Sequence, residues 1–439
     1  MFDDASVFGR TPAKGRGVSS EVPVPALQDY DVSPLTGFLP EEPPLTKLED
    51  PYYQPWEALV ENLNSLMLAG QLRGAVHKVA GVLCARRWWG LPLLDHARLR
   101  NVRELRRAFL VLCMIGHAYV WGKAEPPSEI LPEQLAVPWH YVADKLQLRP
   151  VVCQAAVVLW NWKLLDPKKE WDLSNFAALH TYSGSTDEAW FYLVTTAIEA
   201  EGAKALPACI AAQHAARSGN IEAAISALET IERVVANLNV ILKRMYDHCD
   251  PYVFYWRIRP YLAGWDNMAD AGLPHGVRYE GVPNLGAGPG EPPAYRKYAG
   301  GSAAQSSLIQ ALDVALGIEH RPTGQHGVPE KHAAASQHGC SAANLPHAGD
   351  TANGHAAAHR QNGAASGTCN GVCSANNDVP AANGKPEINH DKSLHHNFIL
   401  RMRDYMPGPH RRFLDHLAKA ATLRTFVKDV VSPRPADAS

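Results

Sequence analysis

Three stretches carry side chains or backbone suited to chemistry. Gly300-Gly301-Ser302-Ala303-Ala304-Gln305-Ser306-Ser307 sets two glycines and several small or hydroxylated residues directly before an apolar run, Leu308 to Ile318. A glycine pair lets backbone come within contact distance of something flat or bulky, and Ser302 or Ser306 stands where it would cap the helix that follows. The stretch is neither GxGxxG nor a P-loop. Its residues leave two readings open: a helix N-terminus packed on a neighbour, or a loop that touches a ligand. The second stretch, Phe254 to Gly264, is short, aromatic and basic, with Arg259 near its centre. The third runs from His320 to His396 and holds half of the chain's 20 histidines, with Cys340, Cys369 and Cys373. It could take up a transition metal adventitiously. However, Cys369 and Cys373 form a C-x3-C with no matching second pair, so zinc-site spacing is absent and a solvated insertion is the plainer reading.

These stretches need elements to position them. The 439 residues suffice for two domains. A net charge of −2 points to neither nucleic acid nor an acidic membrane surface as partner. Eight cysteines in a chain this long read as reduced thiols. No apolar run reaches the ~18 residues of a membrane span, and the expected compartment is the cytosol. Residues 1–30 read as a mobile tail, and the prolines between Tyr30 and Pro51 make an extended arm. Helical periodicity begins at Trp56 to Leu68, with Gly70 as C-cap. It resumes at Val102 to Trp121 and after Pro150 up to Trp162. Ser185 or Thr186 caps a helix over Ala189 to Glu201, and Asn220 caps another whose apolar stripe is Ile221, Ile225, Leu228, Ile231, Val235, Leu238, Leu242 and Met245. Asn267 to Ala299 reads as a Gly- and Pro-rich loop. Residues 320–392 are too poor in large apolar side chains to bury a core. Helices return with Phe398, Met402 and Tyr405 on one face, then over Arg411–Leu417 and Leu423–Val427. Alternating strand patterns are nearly absent, so the expected class is all-α.

Several motifs together resemble the indoleamine 2,3-dioxygenase family. They are the Gly300–Ser307 stretch, Asp313-Val-Ala-Leu-Gly-Ile318, Arg403-Asp-Tyr-Met-Pro-Gly-Pro-His-Arg-Arg-Phe-Leu414, Gly37-Phe-Leu-Pro40, Ala118-Tyr-Val-Trp-Gly122, Trp160-Asn-Trp162 and Arg259-Pro-Tyr-Leu-Ala-Gly-Trp265. The similarity runs from about residue 33 to 430, interrupted by the insertion. The resemblance implies a two-domain helical haem protein. A small domain, 31–165, would cap a larger haem domain, 166–319 with 393–430, and 320–392 and 431–439 would be disordered. It implies haem b with its iron, O2 as co-substrate, and tryptophan or a related indoleamine as substrate. Both oxygen atoms would be added across the indole C2–C3 bond to give N-formylkynurenine, the entry to the kynurenine pathway. It also implies a monomer.

Carried over residue by residue, Phe191 and Phe254 would be aromatic walls against the indole. Thr195 would stand near the bound O2 and the substrate. Arg259 would grip the substrate carboxylate, as a guanidinium can through two parallel hydrogen bonds. Gly301, Ser302 and Ala303 would pass over the haem edge and close the substrate site. Asp313 would lie on the proximal side and orient an arginine further on. Taken without the family, Phe191 and Phe254 read as core residues, Arg259 as a surface arginine and Thr195 as filler on a helix. No Ser–His–Asp arrangement or paired-carboxylate motif is present, which suits oxygen chemistry carried by a cofactor. The family's proximal histidine is expected beyond Ser439. A haem-free binding or scaffold protein, or a truncated product, is therefore the competing reading, and His395 or His396 the least favoured substitute ligand.

Overall fold

The computed structural model describes residues 22–77, 90–122, 125–283, 294–320 and 398–431. Val22 to Tyr30 belong to the expected tail, yet Leu27 is buried in a 3₁₀ turn, Leu27–Tyr30. The Tyr30 hydroxyl meets His416 Nδ1 at 2.5 Å, and His416 Nε2 lies 2.9 Å from the Pro23 carbonyl. Leu27 joins Val32 and Phe38 against Phe413, Leu414 and Leu417. That anchor comes from the far end of the chain, where local composition cannot signal it.

The expected Trp56–Leu68 helix is two helices, α1 Gln54–Glu61 and α2 Leu63–Leu68. The break is at Asn62, whose side chain donates to the Ala58 carbonyl at 2.8 Å and so competes with the backbone ladder. Gly70 closes α2 at φ +62°, as its position suggests. After α3 Leu72–Val76 comes α4 Val102–Trp121, capped by Asn101, which accepts the Glu104 N–H at 3.0 Å. Helix α5 Glu133–Leu146 runs through Pro138, ahead of the helix expected after Pro150, where only a π-turn, Ala155–Leu159, forms. It persists because Leu135, Trp139, Val142 and Leu146 bury against the core, which outweighs one lost ladder bond. A Cβ at Gly116 of α4 would lie 2.6 Å from the Trp139 ring, so glycine there sets the α4–α5 approach.

Helix α6 Thr186–Gly202 is capped by Ser185, and α8 Ile221–Lys243 by Asn220. Between them lies α7 Ala205–Ser218, which the sequence pattern did not announce. The buried face of α8 is Ala224, Ala227, Ile231, Val234 and Leu238. Ile221, Ile225 and Leu242 of the expected stripe are 46%, 50% and 51% exposed. The face that carries the alanines is turned inward, where α7 also buries Ala208, Ala212, Ala215 and Ala216. Small residues let the two backbones approach closely. The short helices α9 Met245–His248, α10 Pro251–Val253 and α11 Arg259–Leu262 follow, then α12 Ser307–Leu316. Three more cover Phe398–Arg401, Gly408–Ala420 and Leu423–Val431.

The strands are two or three residues long: β1 Ile130–Leu131, β2 Trp162–Leu164, β3 Phe176–Ala178, β4 Val277–Tyr279 and β5 Tyr295–Arg296. β4 pairs in parallel with β1 and antiparallel with β5, and β2 with β3 antiparallel. The expected 267–299 loop thus holds two strands, but the class remains all-α. No described helix is long and apolar enough to cross a membrane. The insertion beyond His320, the last eight residues, Cys340, Cys369, Cys373, His395 and His396 lie outside the described residues. The main apolar cluster runs from Leu39 to Val282 through Phe109, Trp139, Trp160, Tyr192 and Trp265. The expected boundary at residue 165 falls inside it.

Two constraints tie these elements together. Arg107 of α4 and Glu57 of α1 form a buried two-point pair, Nε to Oε1 at 3.1 Å and Nη2 to Oε2 at 2.5 Å. Glu57 Oε1 also accepts the Leu48 N–H of the arm at 2.9 Å. Elsewhere, Leu262–Trp265 runs backbone to backbone against Tyr298–Gly301: the Trp265 N–H donates to the Tyr298 carbonyl at 2.7 Å and the Gly301 N–H to the Leu262 carbonyl at 2.9 Å. A Cβ on Gly264 would sit 2.2 Å from the Tyr298 oxygen, and one on Gly300 2.3 Å from the Leu262 oxygen. A Cβ on Gly301 would meet nothing nearer than 3.9 Å.

Removing one partner of the buried pair strands the other as an uncompensated charge. Glu57→Ala is expected to cost about 3–5 kcal/mol in a denaturant titration. Gly264→Ala should cost about 1–3 kcal/mol by overpacking, whereas Gly301→Ala should stay within about 0.5 kcal/mol of the parent. Equal melts for the two glycine variants would show that the crossing does not hold the loop.

Candidate active site

Phe191, Thr195 and Glu199 recur every fourth residue on α6 and share one face. The start of that helix is set by Glu188, a buried carboxyl whose oxygens accept the Tyr182 N–H at 2.7 Å, the Ser183 N–H at 2.7 Å and the Tyr192 hydroxyl at 2.8 Å. Burial pushes Glu188 upward, and these donors pull against the rise. Phe191 is half-buried, and its ring lies 4.5 Å from that of Phe254, tilted by 40°.

Phe254 opens a π-turn, Phe254–Ile258, between α10 and α11, in which the Arg259 N–H reaches back five residues to the Phe254 carbonyl. Pro260 explains the widening, because it has no N–H for an α-helical bond to Trp256 and its ring crowds that carbonyl. Arg259 therefore leaves the turn at the start of α11. Its guanidinium lies 5.0 Å from the centre of the Tyr255 ring. Among the described residues no carboxylate pairs with it, unlike Arg107, Arg106 or Arg403. Arg259 is half-buried and, among the described residues, its guanidinium keeps donors to offer.

The glycine loop is brought to Arg259 by the backbone crossing at Leu262. Ser302 accepts the Ala304 N–H at 3.2 Å, and Ser306 accepts the Ile309 N–H at 3.2 Å. Both serines are caps, Ser302 for the 3₁₀ turn Ala303–Gln305 and Ser306 for α12. Gly301 and Ala303 are exposed. The two glycines thus differ in physical reason. Gly300 is required by the protein's own backbone, while a Cβ on Gly301 would make only ordinary contacts at 3.9 Å. Tyr405 holds the other end of the loop, its hydroxyl accepting the Ala299 N–H at 2.8 Å. Behind the site, burial keeps His117 near a pKa of about 3. Its neutral ring bridges the Tyr261 carbonyl at 3.1 Å and the Val152 N–H at 2.7 Å.

Thr195 Oγ1 donates to the Phe191 carbonyl at 3.0 Å, so its proton is committed to its own helix. Asp313 departs from its expected role. Its carboxylate meets His320 Nε2 at 2.6 Å rather than an arginine. It lines a separate cavity of about 370 Å³ with Gln310, Val314, Ile399 and Arg403. Among the described residues no group of three or more His, Cys, Asp or Glu could hold a metal ion.

Two features were missed in the sequence. Tyr255, beside the named Phe254, is the ring that touches Arg259. Glu199 is 1% exposed, and burial pushes its carboxyl up to about 7. The available signal was an acid on the helix face that carries Phe191 and Thr195.

The family model described as indoleamine 2,3-dioxygenase matches residues 26–435. An indoleamine 2,3-dioxygenase of Saccharomyces cerevisiae is 34% identical over 421 residues, 94% of this chain and 74% of the relative. Indoleamine 2,3-dioxygenase 2 of Homo sapiens is 35% identical over 305 residues, 69% of this chain and 68% of the relative. A 6-hydroxytryptophan 2,3-dioxygenase of Fusarium equiseti is 34% identical over 294 residues, 67% of this chain and 68% of the relative. A match across nearly the whole described fold means that this chain belongs to the indoleamine 2,3-dioxygenase family.

Proposed function

We propose that this protein is a haem-dependent dioxygenase that adds both atoms of O2 across the indole C2–C3 bond of tryptophan or a close analogue, giving the N-formylkynurenine-type product. The observation that carries this reading is the Phe191–Phe254 aromatic pair, with Arg259 bonded by its backbone N–H to the Phe254 carbonyl, without a carboxylate partner among the described residues, and joined through Leu262 to Gly301. An amino acid with an indole side chain suits that arrangement. Its carboxylate takes two guanidinium N–H donors, and its ring lies against two phenyl faces.

The substrate-side residues fit a haem. Gly301 is exposed, and among the described residues a Cβ there would make only ordinary contacts at 3.9 Å. Gly301, Ser302 and Ala303 would lie along its edge, with Phe191 and Thr195 across from it. When bound, haem supplies the redox-active iron that makes O2 reactive.

The chain's own residues do the rest. Arg259 sets the depth and orientation of the substrate by its carboxylate. Phe191 and Phe254 exclude water from the indole face. Thr195 has its proton bonded to the Phe191 carbonyl, so it fills space beside the ring and serves as no base.

The test is turnover of tryptophan by the haem-loaded chain under labelled O2, with mass spectrometry of the product. Both labelled atoms in one N-formyl product are expected. Arg259→Ala should raise KM for tryptophan by roughly 10- to 100-fold, the worth of charge-assisted hydrogen bonds, with Arg259→Lys in between. An unchanged KM removes the clamp. Thr195→Ala should alter kcat by no more than about threefold, since its loss is mainly one of packing. Abolished turnover would make the hydroxyl part of the chemistry.

A further inference from the structure

Glu199 is a fully buried carboxyl with no counter-ion. Oε1 accepts two hydrogen bonds, from Gln154 Nε2 at 2.7 Å and from Ser306 Oγ at 2.8 Å. Oε2 is buried and has no partner among the described residues. Both partners of Oε1 lead to the glycine loop. The Gln154 backbone N–H donates to Gln305 Oε1 at 3.0 Å, and Gln305 Nε2 donates to the Gly300 carbonyl at 2.8 Å. Ser306 is the last residue of the loop and caps α12. One carboxyl oxygen therefore joins three elements: the α6 face bearing Phe191 and Thr195, the segment leading into the Ala155–Leu159 turn, and the loop that fronts Arg259.

The surroundings are neutral. Gln154, Gln305 and Ser306 carry no charge. The charged residues near the joined segments are engaged elsewhere, Glu201 of α6 with Lys204, Arg403 beside α12 with Asp415, and Asp313 of α12 with the His320 ring. An ionised carboxylate there has two donors and no cation, so burial favours its protonated form.

We propose that Glu199 is a positioning residue whose protonated carboxyl locks the Gly300–Ser306 loop against the Phe191–Thr195 face, and whose ionisation releases the loop and weakens substrate binding. The link to substrate rests on the dioxygenase reading above; the link to the loop does not. The sign follows from the raised folded-state value. The carboxyl's contribution is fully present below its ordinary value of 4.5 and is lost as pH rises through about 7.

The test is backbone hydrogen exchange of the full 439-residue chain at pH 6 and pH 8, corrected for intrinsic exchange, with α4 peptides as internal reference. Protection of the 300–306 loop should fall by roughly tenfold or more between the two pH values relative to α4. Glu199→Gln, which keeps the shape and stays neutral, should remove that dependence and hold tryptophan KM level across the same range. Ser306→Ala provides a second route, because losing a donor to Oε1 should move the midpoint to higher pH. Loop protection independent of pH in the parent, Glu199→Gln tracking the parent, or an unmoved midpoint in Ser306→Ala overturns the proposal. Turnover without pH-dependent exchange overturns it and leaves the dioxygenase reading in place. PH-dependent exchange without turnover upholds it and overturns that reading.

Discussion

The architecture of the site rests on one close approach, in which Leu262–Trp265 and Tyr298–Gly301 cross with no room for a side chain at Gly264 or Gly300. Two backbone hydrogen bonds close it, Trp265 to Tyr298 and Gly301 to Leu262. The crossing brings two segments some forty residues apart in sequence, Arg259–Leu262 and Gly300–Ala303, to one place. Without it, the arginine and the open glycine would belong to separate parts of the surface. The Trp265 indole extends the crossing inward, donating to the Tyr279 hydroxyl at 2.9 Å and stacking on His117 at 4.4 Å. The loop is therefore tied to α4 and the main core through rings rather than through charge.

Two buried acids divide the work of holding the fold and tuning it. Glu57 is matched by Arg107 in a two-point pair with a third donor from Leu48. Such a pair is costly to break and insensitive to solvent, which suits a joint between the arm, α1 and α4. Glu199 has hydrogen-bond donors but no cation. Its environment accepts a proton more readily than a charge. The first arrangement is held by a matched cation; the second holds only while the proton stays.

The substrate side is built from helix faces and backbone, and its groups do not perform acid–base catalysis on one another. Thr195 is bonded to its own helix, Arg259 lies over the Tyr255 ring with no carboxylate partner among the described residues, and the phenyl rings of Phe191 and Phe254 touch each other. A site of this kind binds, orients and dries a substrate, and leaves bond-making to a cofactor and O2.

Much of this was legible in the sequence. Caps at Ser185, Asn220 and Ser306, the glycine stop at Gly70 and the 3.6-residue periodicity of α4 and α6 are local matters, decided by residues within one or two turns. The family motifs are also contiguous runs, so the aromatic walls, Arg259 and the glycine loop could be named from the chain alone. Tertiary structure decided what depends on partners distant in sequence. It anchored Leu27 and Tyr30 on Phe413 and His416 and carried α5 through Pro138. It turned α8 onto its alanine face and gave Asp313 to His320. It also separated Gly300, which the backbone crossing requires, from Gly301, where a Cβ would make only ordinary contacts. Glu199 shows the reason most plainly. A glutamate on a helix reads as a solvated charge until the loop from residue 300 closes over it, and only burial makes it a group that titrates near neutral pH.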